Sequence, residues 1–134
     1  MDVTRYCLDT SAYSRFKLGE PAVSELIDSA FYVCLPSIAV GELLAGFRLG
    51  ANERRNTTEL WDFLADPAAD VLDVDVNVAE RYSQIYGDLR ESGTPVPTND
   101  MWIAATASAN GMAVLTFDGH FNSIPQVPSL VLEI

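Results

Sequence analysis

The chain has little positive charge. Its 134 residues hold eight lysines and arginines together against 19 aspartates and glutamates, for a net charge of −11. Lys17 is the single lysine and His120 the single histidine. A domain that grips a polyanion through its surface normally carries a broad basic footprint, and this composition excludes one. What basic charge there is gathers in part at Arg48, Arg54 and Arg55. An acidic chain with one small arginine cluster has two uses for its surface. Either the arginines work beside a bound cation, or much of the surface faces a basic protein partner.

Cysteine is scarce as well. Cys7 and Cys34 fall in apolar segments, with no C-x-x-C or His-x-His spacing, which excludes a thiolate metal knot and a disulfide framework and leaves two core thiols. No apolar run approaches the roughly 20 residues of a membrane span. The start, MDVTRYCLDT, lacks a basic n-region and a long h-region, so the expected location is the cytoplasm, with no membrane association. There is no repeat, low-complexity tract or linker, so residues 1–134 are expected to form a single domain. A hydrophobic content of 49% fills one core and excludes disorder.

The pattern that is present alternates strands and helices. RYCLD reads as a buried strand ending at Asp9, with Thr10 or Ser11 capping a short helix. Pro21 opens a helix over AVSELIDSA. FYVCLP is a second strand stopped by Pro36. SIAVGELLAGFRLG is a helix capped by Ser37 and stopped by Gly50, and NERRNTTELWDFLAD is another. VLDV is a third strand. NVAERYSQIYGDLRESG is a long helix ending at Gly93, TPVPT a rigid loop, and NDMWIAATASANG a helix. MAVLT is a fourth strand, and SLVLEI a last strand running to the end of the chain. Such alternation predicts an α/β fold, a parallel sheet covered on both faces by helices with right-handed crossovers.

Four acids stand at the mouths of apolar segments: Asp9 in YCLDTSAY, Glu42 in SIAVGELLAGFR, Asp100 in PTNDMWIAATA and Asp118 in VLTFDGHF. Each has an ordinary role. Asp9 suits a helix N-terminus, worth about 0.3–1 kcal/mol. Asn99 or Asp100 suits an N-cap. Asp118 suits an Asp-Gly turn. Glu42 is harder to dismiss, since Ile38, Leu44 and Ala45 lie close to its side of the helix, and a carboxylate on such a surface needs a partner or a metal. Gly41 and Gly46 beside it permit close approach of a backbone or ligand. Gathered in one place, the four would repel one another unless a hard cation such as Mg²⁺ or Mn²⁺ held them. Ligands bind open parallel sheets outside the carboxyl ends of the strands, where the winding reverses. Asp9 and Asp118 share that crevice if their strands are neighbours there. Asp100, at the start of the helix feeding the fourth strand, is expected at the opposite edge, unless so short a helix lets its start reach round. Ser11 stands where a haloacid dehalogenase phosphatase needs a second acid, and the acidic pair and lysine of a receiver domain are missing.

In order and spacing, the LDTS start, the GELLAG helix, the P-x-P-x-ND-x-WIAA-x-A segment and the T-x-D-x-x-F end resemble the PIN-domain ribonucleases, and within them the VapC toxins. The resemblance covers nearly the whole chain. It implies a three-layer α/β/α sandwich in which Asp9, Glu42, Asp100 and Asp118 form an acidic quartet holding Mg²⁺ or Mn²⁺, partly through water. It implies hydrolysis of an RNA phosphodiester by a water that the ion and a carboxylate activate. Thr10, Ser11, Asn99 and Thr116 match positions that support the acids by hydrogen bonds. Arg48, Arg54 and Arg55 become candidates for RNA phosphate contacts. A cognate antitoxin and a homodimer are the implied partners, with Leu43, Phe47 and Trp61 as candidates for the antitoxin groove and Trp102 in the core. A housekeeping PIN nuclease without antitoxin is the alternative; a non-catalytic PIN-like binding module is another, which the intact quartet argues against. One departure is visible. Many members carry Asp or Asn two residues after the last acid, where this chain has His120.

Overall fold

A computed structural model describes residues 4–134; Met1 to Val3, counted in the expected domain, lie outside the described residues. Five strands alternate with six helices: β1 (Arg5–Leu8), α1 (Thr10–Lys17), α2 (Pro21–Ser29), β2 (Tyr32–Pro36), α3 (Ser37–Leu49), α4 (Glu53–Leu64), β3 (Ala69–Leu72), α5 (Val76–Ser92), α6 (Thr98–Ala109), β4 (Ala113–Thr116) and β5 (Ser129–Val131), with a 3₁₀ turn, Gly119–Ser123, before the last strand. The strands form one parallel sheet in the order β3-β2-β1-β4-β5. Consecutive strand residues are buried, as at Cys7 and Leu8, at Val33 to Leu35 and at Val114 to Thr116. Side chains alternate between faces along a strand, so both faces are covered, and this is the expected α/β/α sandwich.

The winding runs outward from β1 through β2 to β3, then returns to the other side of β1 with β4. β1 and β4 are therefore the neighbours at the reversal, paired from Tyr6–Ala113 to Leu8–Leu115. α6 returns the chain to the sheet centre by burying Met101 and the run Ile103 to Ala107. Its small buried alanines suit close packing of the helix on the sheet. Trp102 is half-buried and stacks on Tyr82 of α5, with ring centroids 3.8 Å apart.

Several element ends differ from expectation, for reasons of capping and pairing. The cap of α1 is Asp9, whose carboxylate accepts from the Ala12 N–H, so Thr10 and Ser11 are already helical. Pro36 and Pro97 precede α3 and α6 in extended conformation, which makes Ser37 the first residue of its helix and puts Asn99 and Asp100 within the first turn rather than at the cap. β3 lies two residues earlier than expected because Ala69 to Leu72 pair with Val33 to Pro36. β5 stops at Val131, where its pairing with β4 ends at Thr116. A side chain added at Gly41 or Gly46 would meet nothing within 4 Å, so these glycines serve no close approach within the chain.

Gly93 closes α5 in the left-handed region, at φ 68°. Gly93→Ala should therefore lower stability by about 1 kcal/mol through backbone strain alone. Gly46→Ala, on an open helical surface, should raise it by about 0.5–1 kcal/mol. Denaturant midpoints of the two variants check the pair, and equal shifts in one direction would contradict it.

Candidate metal centre

Asp9 occupies the carboxyl end of β1 and is only 4% exposed. A chain turning directly from strand to helix leaves N–H groups unpaired there, and the Asp9 carboxylate accepts one of them. Its Oδ1 accepts from the Ala12 N–H at 2.9 Å and from the Ser11 hydroxyl at 2.8 Å, and its Oδ2 from the Thr116 hydroxyl at 2.6 Å. The same two hydroxyls accept from the far side of the crevice: Ser11 Oγ from the Phe117 N–H at 3.0 Å and Thr116 Oγ1 from the Asp118 N–H at 2.9 Å. The ends of β1 and β4 are thus tied together around one buried carboxylate. Burial raises the Asp9 pKa, its three hydrogen bonds pull it back, and the Asp118 charge adds to the rise.

Asp118 leaves β4 and caps the 3₁₀ turn, its Oδ1 accepting from the His120 N–H at 2.9 Å. Asp100 comes to the same place. The expectation that it lies at the opposite edge of the sheet is overturned, because a crossover helix carries the chain from the carboxyl edge back to the amino edge, so its first turn sits at the carboxyl edge. Asp100 Oδ2 lies 3.3 Å from His120 Nδ1, which is 2.9 Å from Asp118 Oδ1. Burial, then the charges of Asp118 and Asp9, push the Asp100 carboxyl up to about 6, against a smaller downward pull from His120.

Glu42, half-buried on α3, is held by a different pair of residues. Thr10 donates to its Oε1 at 2.7 Å, and the Asn99 side-chain amide donates to its Oε2 at 3.2 Å. The four supporting residues therefore divide: Ser11 and Thr116 serve Asp9, while Thr10 and Asn99 serve Glu42. Adjacent residues on a helix point about 100° apart, which is how Thr10 and Ser11 serve different acids.

The donor set fits a hard divalent cation. One ligand atom each from Asp100, Asp118 and His120 lie within 4.8 Å of one another, and Asp9 and Glu42 are not part of that tight group. Among the described residues, every ion pair of a lysine or arginine is made elsewhere: Lys17 and Arg55 with Glu59, and Arg48 with Glu53. Carboxylates pressed together without a lysine or arginine between them are a circumstance in which a bound ion stabilises strongly.

The arginine cluster stands apart from this centre. Arg48, 78% exposed, reaches Glu53 at 3.9 Å, and Arg55 reaches Glu59 at 4.0 Å. Arg54 is exposed beside them on α4. Sequence reasoning passed over Arg15, which lines an open groove of about 570 Å³ with Ser11, Phe117, Asp118 and Gly119. The signal was the four-residue step from Ser11 to Arg15, which puts both on one face of α1. Leu43, expected in a partner groove, is a core residue instead, whereas Trp61 is 48% exposed and Phe47 lines a cavity of about 240 Å³ with Tyr13 and Leu18.

The chain matches the family model described as the PIN domain over residues 6–127. It is 30% identical over 95 residues to ribonuclease VapC4 of Mycobacterium tuberculosis, covering 71% of this chain and 73% of that protein. It is 28% identical over 123 residues to ribonuclease VapC5 of the same organism, covering 92% and 90%. Among solved structures, DNA-bound VapBC from Salmonella typhimurium superposes with a TM-score of 0.82 at 28% identity, over 96% of this chain and 98% of that one.

The raised Asp100 carboxyl sets a sign for pH. In the folded chain it keeps its proton to about pH 6, against an ordinary 3.8, so ionisation between those values destabilises the metal-free fold, and a cation offsets that cost. Calorimetric titration with Mn²⁺ should therefore show affinity falling by about tenfold per pH unit below pH 6 as a proton must be displaced. Affinity constant from pH 4.5 to 7.5 would contradict the assignment. Asp100→Asn should raise the thermal midpoint of the metal-free protein at pH 7.5 and remove most of the metal-induced increase.

Proposed function

The chain belongs to the PIN-domain family and, within it, to the VapC ribonucleases, and from this premise we propose that it is a Mg²⁺- or Mn²⁺-dependent endoribonuclease acting as the toxin of a toxin–antitoxin pair. The observation that carries the reading is the convergence of Asp9, Asp100 and Asp118 at the junction of β1 and β4, with no lysine or arginine pairing among the described residues to neutralise them. Asp100 and Asp118 would hold the ion, with Asp9 close behind and Glu42 reaching it through water. When bound, the ion supplies charge on the scissile phosphate and lowers the pKa of a water. Glu42 stands outside the tight donor group, fixed by Thr10 and Asn99. We assign it the proton of the attacking water, whose oxygen bonds to phosphorus as one ester P–O bond breaks and the departing ribose oxygen takes a proton from solvent water. Ser11 and Thr116 hold Asp9 in one orientation, so that the cluster does not reorganise during the step.

The substrate grip falls to few side chains. Arg15 borders the groove beside Asp118 and is the first candidate for an RNA phosphate. Arg48, Arg54 and Arg55 lie further out and would act on a longer strand or across a homodimer. A net charge of −11 suits a basic antitoxin. A cavity of about 320 Å³ has an apolar floor of Phe16, Ile27 and Phe63 with Asp28, Asp62 and Asp66 around it, a surface suited to a basic amphipathic segment. No helix among the described residues is long and apolar enough to cross a membrane.

Purified protein should cleave RNA with Mg²⁺ or Mn²⁺ and not with EDTA. Asp9→Asn and Asp100→Asn should each cost roughly a hundredfold or more, and Thr116→Val about 10–100-fold. Wild-type rates in both aspartate variants would sink the site assignment. Arg15→Ala should raise KM several-fold at low salt with little change in kcat or in cation affinity; an unchanged KM would remove Arg15 from the binding surface. Induced expression should arrest growth, and a co-expressed antitoxin should relieve it; a harmless chain would favour the housekeeping nuclease.

A further inference from the structure

His120 is the second residue of the 3₁₀ turn that Asp118 caps. The bond from its own N–H to Asp118 Oδ1 fixes its backbone against that carboxylate. From there the ring presents Nδ1 to two carboxylates carried by separate elements, 2.9 Å from Asp118 Oδ1 and 3.3 Å from Asp100 Oδ2. The side chain is 48% exposed, so burial does not force the ring into this place.

These distances have a meaning for an ion. Two ligands at right angles on an octahedral cation such as Mg²⁺, each about 2.0–2.1 Å from it, are separated by about 2.8–3.0 Å. One contact of Nδ1, at 2.9 Å, matches that edge length and the other, at 3.3 Å, lies slightly beyond it, and all three donor atoms fall within 4.8 Å of one another. A hydrogen-bonding histidine needs one carboxylate. This one stands at the corner between two.

We infer that His120 Nδ1 is a direct ligand of the cation that Asp100 and Asp118 hold, and that this nitrogen shifts the centre's preference from Mg²⁺ toward first-row transition ions, Mn²⁺ foremost. The inference rests on the metal reading above. Mg²⁺ favours oxygen ligands and retained water, whereas imidazole suits the transition ions. A ligating ring would be neutral imidazole, bound through Nδ1 with its proton on Nε2.

A single histidine makes the test specific, because imidazole ¹⁴N coupling in the untagged protein can come from His120 alone. Binding of Mn²⁺ is followed by loss of the free-ion EPR signal, and pulsed EPR of the bound ion reads the coupling. Wild type should show strong ¹⁴N coupling, and His120→Asn and His120→Ala should lose it. In both variants calorimetry should give Mn²⁺ affinity lower by about tenfold, with Mg²⁺ affinity nearly unchanged. Bound Mn²⁺ without ¹⁴N coupling, or an unchanged Mn²⁺ to Mg²⁺ ratio in the variants, overturns the His120 assignment and leaves the metal centre standing. Failure of wild type to bind either ion overturns both.

Discussion

One buried carboxylate organises this molecule's functional edge. Among the described residues the sheet reverses its winding between β1 and β4, and Asp9 sits there. Ionised carboxylates are expensive there, and this one is stabilised by one backbone and two hydroxyl donors. Each hydroxyl also accepts from the chain leaving β4. The interaction is therefore structural and chemical together. It caps α1, closes the seam between two strands that are distant in sequence, and sets where Asp118 emerges. Without Ser11 and Thr116 in these positions, Asp9 would be buried with unsatisfied lone pairs, and the seam would lose its ties.

Much of this was legible in the residues. Consecutive apolar runs at RYCL, YVCLP and AVLT announce strands covered on both faces, and the reversal rule alone brings Asp9 near Asp118. The errors have physical sources. Asp100 belongs at the carboxyl edge because a crossover helix starts there, a direction that strand order alone does not give. Asn99 and Asp100 were weighed as caps, but Pro97 already sets the extended conformation that precedes α6, which leaves their side chains free for other partners. Leu43 is a candidate for the partner groove by resemblance, but helical rotation turns it into the core. The division of Thr10 and Asn99 to Glu42, and of Ser11 and Thr116 to Asp9, is a tertiary fact that no spacing records. His120 stands in a turn, and only the fold brings Asp100 to it.

The scarcity of cations, read first as an obstacle to nucleic-acid binding, takes on a different sense beside this geometry. Arg48, Arg55 and Lys17 are partly engaged by Glu53 and Glu59, and exposed pairs of this kind contribute little to stability. Their effect is to reduce the free positive charge further. Arg15 alone among the basic residues borders the groove that Asp118 also lines. On the proposed reading, substrate attraction near the scissile bond comes mainly from the bound ion, with Arg15 as its nearest helper.

That arrangement imposes an order. Three carboxylates at one sheet edge, on a chain of net charge −11, repel a phosphodiester until their own charge is offset. Burial first, and the charges of Asp118 and Asp9 after it, raise the Asp100 carboxyl, so part of the site prefers a proton to an uncompensated charge. A proton neutralises one carboxylate and leaves nothing to coordinate a phosphate oxygen. A divalent ion neutralises two charges and keeps coordination positions open. Ion before RNA is thus the sequence the electrostatics favour, and a nitrogen ligand at His120 would add affinity without adding a fourth negative charge to a site that must still admit a polyanion.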